Sequence, residues 1–137
     1  MPRKTDSNNP ADWICLAESE VAGLRLLAER ETSYSMCRSK LAEVLEKILK
    51  AELIRTGWFL QRTHDLQKLA SELQARGSDL TTPARPLCNA LAEVYFSDRY
   101  PGFDLADPDW PDFRQKLQAV SGLLDVVKSR LAGPGNP

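Results

Sequence analysis

The chain has one histidine, His64, and only three cysteines, Cys15, Cys37 and Cys88, in 137 residues. No C-x-x-C pair occurs, and one imidazole cannot complete a Cys/His zinc site of the usual kinds, so no metal is expected. The cysteines are odd in number and widely spaced. They read as reduced thiols, each on or near an apolar stripe and facing the core. Long apolar runs are missing too. The longest, Trp13 to Ala17, has five residues, against the ~20 that span a bilayer. The first residues, Met1 to Asp6, are polar, with no apolar signal core behind them. The expectation is a soluble, cytoplasmic protein with no membrane partner. Excess charge of either sign is absent: Lys plus Arg is 18, Asp plus Glu is 19, and the net charge is −1. That balance argues against a broadly basic nucleic-acid coat, while leaving room for a local basic site. Neither a G-x-G-x-x-G nor a G-x-x-x-x-G-K-[ST] loop is present, which removes the Rossmann and Walker phosphate sites, and no cofactor is implied.

What is present is helical periodicity. Hydrophobic residues make up 42% of the chain and charged residues 27%, ordinary for one globular domain of this length. Residues 1–137 form a single unit, with about 9–133 folded and 1–8 and 134–137 as tails. No segment alternates with period two, so no sheet is predicted. The first helix opens at Asn9-Pro10, a good N-cap followed by a good first position. Trp13, Ala17, Val21, Leu24 and Ala28 share one face, and Leu16 and Leu27 widen it. The second helix is expected from Glu31 to Arg55, capped by Thr32 or Ser33 and ended by Gly57. Its stripe is wide enough for a central helix, and the i,i+4 pairs Glu43–Lys47 and Glu46–Lys50 add support. A short third helix spans Asp65 to Arg76, with Thr63 as its N-cap. A fourth runs from Pro83 to Ser97, with Pro86 tolerated in or before its first turn. A fifth follows Asp109-Trp110-Pro111 and ends at Gly133. The predicted fold is all-α: an up-down bundle of four long helices plus one short helix.

Two clusters depart from packing logic. Arg62-Thr63-His64-Asp65 sits where a loop enters the third helix. A helix N-terminus attracts anions through unpaired N–H groups and its dipole. Arg62 adds a fixed charge with paired donors. His64 is suited to acid–base work, and Asp65 either orients the imidazole or starts the helix. The alternative is that Thr63 and Asp65 merely cap the helix. Arg99-Tyr100-Pro101-Gly102 follows the fourth helix as a turn, where Arg99 is favoured by the helix dipole alone. Trp58-Phe59, after the second helix, reads as a loop cap on the core. Trp13 and Trp110 read as packing residues.

Glu46-Lys47-Ile48-Leu49-Lys50-Ala51, then Gly57, then Arg62-Thr63-His64-Asp65-Leu66, then Arg99-Tyr100-Pro101, resemble a HEPN domain (higher eukaryotes and prokaryotes nucleotide-binding) in order and spacing. The resemblance covers about Trp13 to Arg130 and points to the subgroup carrying Thr-His-Asp-Leu and Arg-Tyr-Pro. It implies a bundle of four long helices and a short one, frequent dimerisation, and common pairing with a minimal nucleotidyltransferase as a toxin–antitoxin system. Many members are metal-independent ribonucleases with an Arg-x(4–6)-His motif, in which Arg stabilises phosphate charge and His serves acid–base chemistry. That motif is absent here: Arg62 stands too close to His64 and Arg55 too far.

Three readings therefore stand side by side. The first is a dimeric HEPN-type module that binds a nucleotide, an RNA or a nucleotidyltransferase partner. Its anion-binding candidates are Arg62, His64, Asp65, Arg99, Tyr100 and Lys50. The second is an RNA endonuclease with His64 as acid–base and Arg62 or Arg99 as phosphate stabiliser. The third is a structural dimerisation domain. The apolar stripes of the first, second and fifth helices exceed what one small bundle covers, which predicts a symmetric homodimer. Light scattering at micromolar concentration is expected to give twice the 15.3 kDa chain mass. A monomer alone contradicts it.

Overall fold

Asn9 and Pro10 open the first helix as the pattern implies. The Asn9 side chain accepts from the Ala11 N–H at 3.0 Å, and Pro10 fills a position that needs no donor. The computed structural model describes residues 7–94 and 107–132. Within them lie five helices: α1 Pro10–Arg30, α2 Tyr34–Arg55, α3 Leu66–Ala75, α4 Thr81–Leu91 and α5 Trp110–Ala132. Among the described residues there is no strand, and no helix is long and apolar enough to cross a membrane. The all-helical fold of five helices is as the sequence predicts.

The ends differ in detail. Glu31 to Ser33 form a tight link rather than the start of α2. Glu31 and Ser33 both take left-handed φ values, 51° and 60°, and Ser33 holds the N-cap position without a side-chain cap bond. The N-cap of α3 is Asp65, not Thr63: its carboxylate accepts from Gln67 N at 3.0 Å and Lys68 N at 3.2 Å. Thr63 Oγ1 accepts instead from Asp65 N, at 3.1 Å. α4 begins at Thr81, ahead of the expected Pro83, so Pro86 lies inside the helix, past its first turn. Its ring deprives Thr82 of an i+4 donor, a local cost carried by a short helix. The expected end at Ser97 and the Arg99–Gly102 turn lie outside the described residues.

α2 packs against all four other helices. Leu41, Leu45, Ile48, Leu49 and Leu53 are fully buried, as a wide apolar face requires. α1 runs antiparallel to α2: Glu20 meets Lys40 and Lys47, while Trp13 meets Lys50. Lys47 thus reaches across to α1, and Glu43 pairs with Lys40 at 3.0 Å. α5 runs antiparallel to α1 through Glu18–Lys128 and Arg25–Ser121. At the far end, Tyr34, Trp110 and Phe113 stack edge to face, with centroids 5.2–6.4 Å apart. Trp13 and Trp110 pack as read. Leu16 and Cys15 do not, for both are exposed. Among the described helices α1 touches only α2 and α5, so its buried stripe stays narrow, and these two positions lie outside it.

One buried carboxylate ties three elements together. Glu52 is 1% exposed. Arg55 Nε donates to it at 2.6 Å and Arg55 Nη2 at 3.0 Å, and Arg130 of α5 donates from the other side. Arg130 also grips Asp79 at 2.7 and 2.8 Å, and that bond holds the Asp79 carboxyl below its ordinary value. These groups, with Arg76, line a cleft of about 460 Å³. It opens where α2, α3 and α5 end, so the arginines offset helix C-termini as well as the two acids.

Two predictions follow from this packing. Burial raises the Cys37 thiol, and pushes Cys88 up to about 11. A thiol reagent added to the native protein should label Cys15 rapidly and the other two only on unfolding; fast reaction at Cys37 or Cys88 would contradict the helix registers. Arg130→Met removes a charge-assisted bond from buried Glu52 and should cost about 1.5–3 kcal/mol by denaturant titration. Arg55→Met, which leaves the bridge between helices in place, should cost less.

Candidate functional site

The connection between α2 and α3 does not simply turn and descend. Gly57, at φ 98°, lets Trp58 N bond back to Leu53 O at 3.0 Å, which closes α2. Trp58 then buries its ring, while the next side chain, Phe59, is 87% exposed. The expected loop cap is therefore half right: Trp58 covers the core and Phe59 faces water. Residues 59–64 run back alongside α2 until His64 reaches Glu46. The nine steps along the chain from Arg55 back to Glu46 correspond to about 13 Å of helix. α3 then retraces that distance, and Arg76 meets the Thr56 carbonyl at 3.5 Å.

His64 Nδ1 lies 2.9 Å from Glu46 Oε1, and Lys50 Nζ donates to Glu46 Oε2 at 2.8 Å. Burial is graded along this chain of groups. The side chains of Lys50 and Glu46 are 5% and 9% exposed, and that of His64 is 61% exposed. The Lys50 ammonium also lies 5.4 Å from the centre of the Trp13 ring, a cation–π contact strengthened by exclusion of water. Trp13 Nε1 in turn donates to the Ser7 carbonyl at 2.8 Å, so Ser7, in the stretch read as tail, is tied to the same region. Among the described residues no group of three His, Cys, Asp or Glu could hold a metal ion.

Arg62 lines a shallow cleft of about 220 Å³ with Asn8, Phe59 and Leu60. The sequence-derived candidates thus fall into three sets. Arg62 and His64 share one loop surface. Asp65 is committed to capping α3 and does not orient the imidazole; Glu46 occupies that role. Lys50 is a buried counter-charge for Glu46, with its ammonium turned into the bundle, so it supports the surface rather than forming it. Arg99 and Tyr100 lie outside the described residues.

The geometry is that of a helical bundle with an exposed imidazole and guanidinium on one loop. A family model described as HEPN domain matches residues 11–130. The chain belongs to the HEPN domain family. The matched span runs from α1 through most of α5, so the loop of residues 56–65 lies wholly within the HEPN region. No curated protein and no solved structure matches this HEPN chain.

Sequence reasoning missed Glu46 as the partner of His64, and missed Phe59 and Asn8 at the cleft. The i,i+4 pair Glu46–Lys50 held a signal: two charges set among the apolar positions Val44, Leu45, Ile48, Leu49 and Ala51 need partners. Nothing local to Phe59 distinguishes it from Trp58. Only the turn at Gly57 decides which ring goes inward.

Proposed function

We propose that this HEPN chain is a binding module that takes a nucleotide, or the phosphate-bearing part of an RNA, at the surface of Phe59, Arg62 and His64. The observation that carries this reading is the cleft shared by Phe59 and Arg62. An exposed aromatic ring offers a stacking face for a base, and a guanidinium beside it offers paired donors for phosphate. Single exposed apolar residues are common on protein surfaces; the pairing with Arg62 and His64 on one short loop is what favours a ligand. Family membership supports the same reading. It also supports a homodimer that works beside a small nucleotidyltransferase as one component of a toxin–antitoxin pair in the cytoplasm.

A second reading, metal-independent RNA cleavage, is favoured by one contact. A carboxylate that orients an imidazole is the arrangement through which general bases act, and His64 has it in Glu46. In that reading Arg62 stabilises charge on the phosphate.

Fluorescence anisotropy with a labelled single-stranded RNA, and competition by AMP, tests both. Arg62→Ala should weaken binding by about 1–3 kcal/mol, the scale of a lost charge-assisted bond. Phe59→Ala should cost about 1–3 kcal/mol for each base that stacks on it. Both variants should keep their thermal stability, since changes at exposed sites usually cost under about 0.5 kcal/mol. No binding by the wild type overturns the module. Cleavage of the RNA in EDTA, lost in His64→Ala, replaces it with the nuclease.

A further inference from the structure

The cleft of about 460 Å³ at the ends of α2, α3 and α5 shares no lining residue with the Phe59–Arg62 cleft. Each oxygen of its two acids already accepts from an arginine. Glu52 Oε1 takes Arg55 Nε at 2.6 Å, and Oε2 takes Arg55 Nη2 at 3.0 Å and Arg130 Nη1. Both Asp79 oxygens face Arg130 Nη2, at 2.7 and 2.8 Å. The helix ends claim few of the remaining donors, because α2 and α3 close on their own backbone. Trp58 N bonds to Leu53 O and Gly57 N to Ile54 O, both at 3.0 Å. Ser78 N bonds to Leu73 O and Gly77 N to Gln74 O, also at 3.0 Å. These are two Schellman motifs, each turning on a left-handed glycine. What remains is a surplus of donors. Arg55 Nη1 has no acceptor among the described residues. Arg76 has one, the Thr56 carbonyl at a long 3.5 Å, which leaves most of its five N–H groups unspent. Three guanidiniums face two carboxylates, so one positive charge is in excess. The C-terminal dipoles reduce it by partial charges. α4, which starts at Thr81 just past Ser78 and Asp79, brings the opposite dipole end.

We propose that this cleft is a second phosphate site, which takes the terminal phosphate of a small monoester between Arg55 and Arg76. A wall rich in donors, with its own acceptors taken, suits a ligand made of acceptors. A guanidinium meets an oxyanion through paired N–H groups. Arg55 stands at the end of α2 and Arg76 at the end of α3, so a group held by both needs acceptors on more than one edge. A terminal phosphate has three bare oxygens. A carboxylate has two in one plane, and a phosphodiester has two with a substituent on either side. Glu52 is the positioning residue: its two bonds fix Arg55 in the wall, and a donor fixed beforehand loses less freedom on binding. The site does not depend on the Phe59–Arg62 surface, and a ligand without a base to stack can occupy it.

Amide ¹H–¹⁵N correlations of the full chain, titrated with glycerol 3-phosphate at an ionic strength held constant with sodium chloride, test the site. Gly77 and Ser78 line the cleft, and their resonances should move along a saturable curve. Arg76→Ala should weaken the affinity about threefold to tenfold, as expected for a charge-assisted bond lost. Arg76 is exposed, so its removal should leave the thermal midpoint unchanged. Phe59→Ala should bind glycerol 3-phosphate as wild type does, whatever it does to RNA. Dimethyl phosphate, a diester with two bare oxygens, should bind more weakly than the monoester. Unmoved Gly77 and Ser78 resonances overturn the site, and so does full affinity in a folded Arg76→Ala variant. Shifts confined to Phe59 and Leu60 place the phosphate at the other surface and also overturn it. Equal affinity for dimethyl phosphate overturns the assignment to a monoester.

Discussion

Because α2 lies against every other described helix, each charge it buries must find a partner. An uncompensated buried charge costs several kcal/mol, enough to consume much of the stability of a domain this size. Glu46, Lys50 and Glu52 are all buried, and all three are paired. Glu46 and Glu52 are six residues apart, so their side chains diverge by about 120° around the helix. Two separate networks result, and they constrain different parts of the chain.

The Glu52 network bridges elements with fixed charges. Its partners are arginines, whose charge is constant across the pH range in which proteins fold, and it links α2 to α5 and to the turn before α4. Its contribution is architectural. The Glu46 network ends instead on the one side-chain type whose protonation changes near neutral pH. A buried acid that reaches outward to an exposed imidazole does little to hold helices together, and much to fix the orientation of that ring. The same loop carries Phe59 and Arg62, so the ring stands near an exposed aromatic side chain and a cation.

The helices were legible because their signals are local. Asn9-Pro10, Asp109 ahead of Trp110-Pro111, and the stripe from Cys37 to Ala51 each state their role within a few residues. The loop was harder. Thr63 and Asp65 are both good caps, and the choice of Asp65 rests on where the chain arrives after running back along α2. The partner of His64 lies 18 residues away on a helix face that periodicity marks only as polar. Cys15 and Leu16 went the other way: they follow the apolar stripe closely enough to be read as core, yet α1 has neighbours on too few sides to cover them.

The backward run of residues 56–65 also bears on the order in which the molecule assembles. Asn8, Trp13, Glu46, Lys50, Phe59, Arg62 and His64 all come from the first half of the chain, and α1, α2 and the loop bring them together through short sequence separations. α5 closes onto α1 across 110 residues, through Glu18 and Lys128. Loop-closure entropy favours the near contacts over the far ones. This cluster of side chains can therefore take shape on the α1–α2 hairpin while the last helix is still seeking its place.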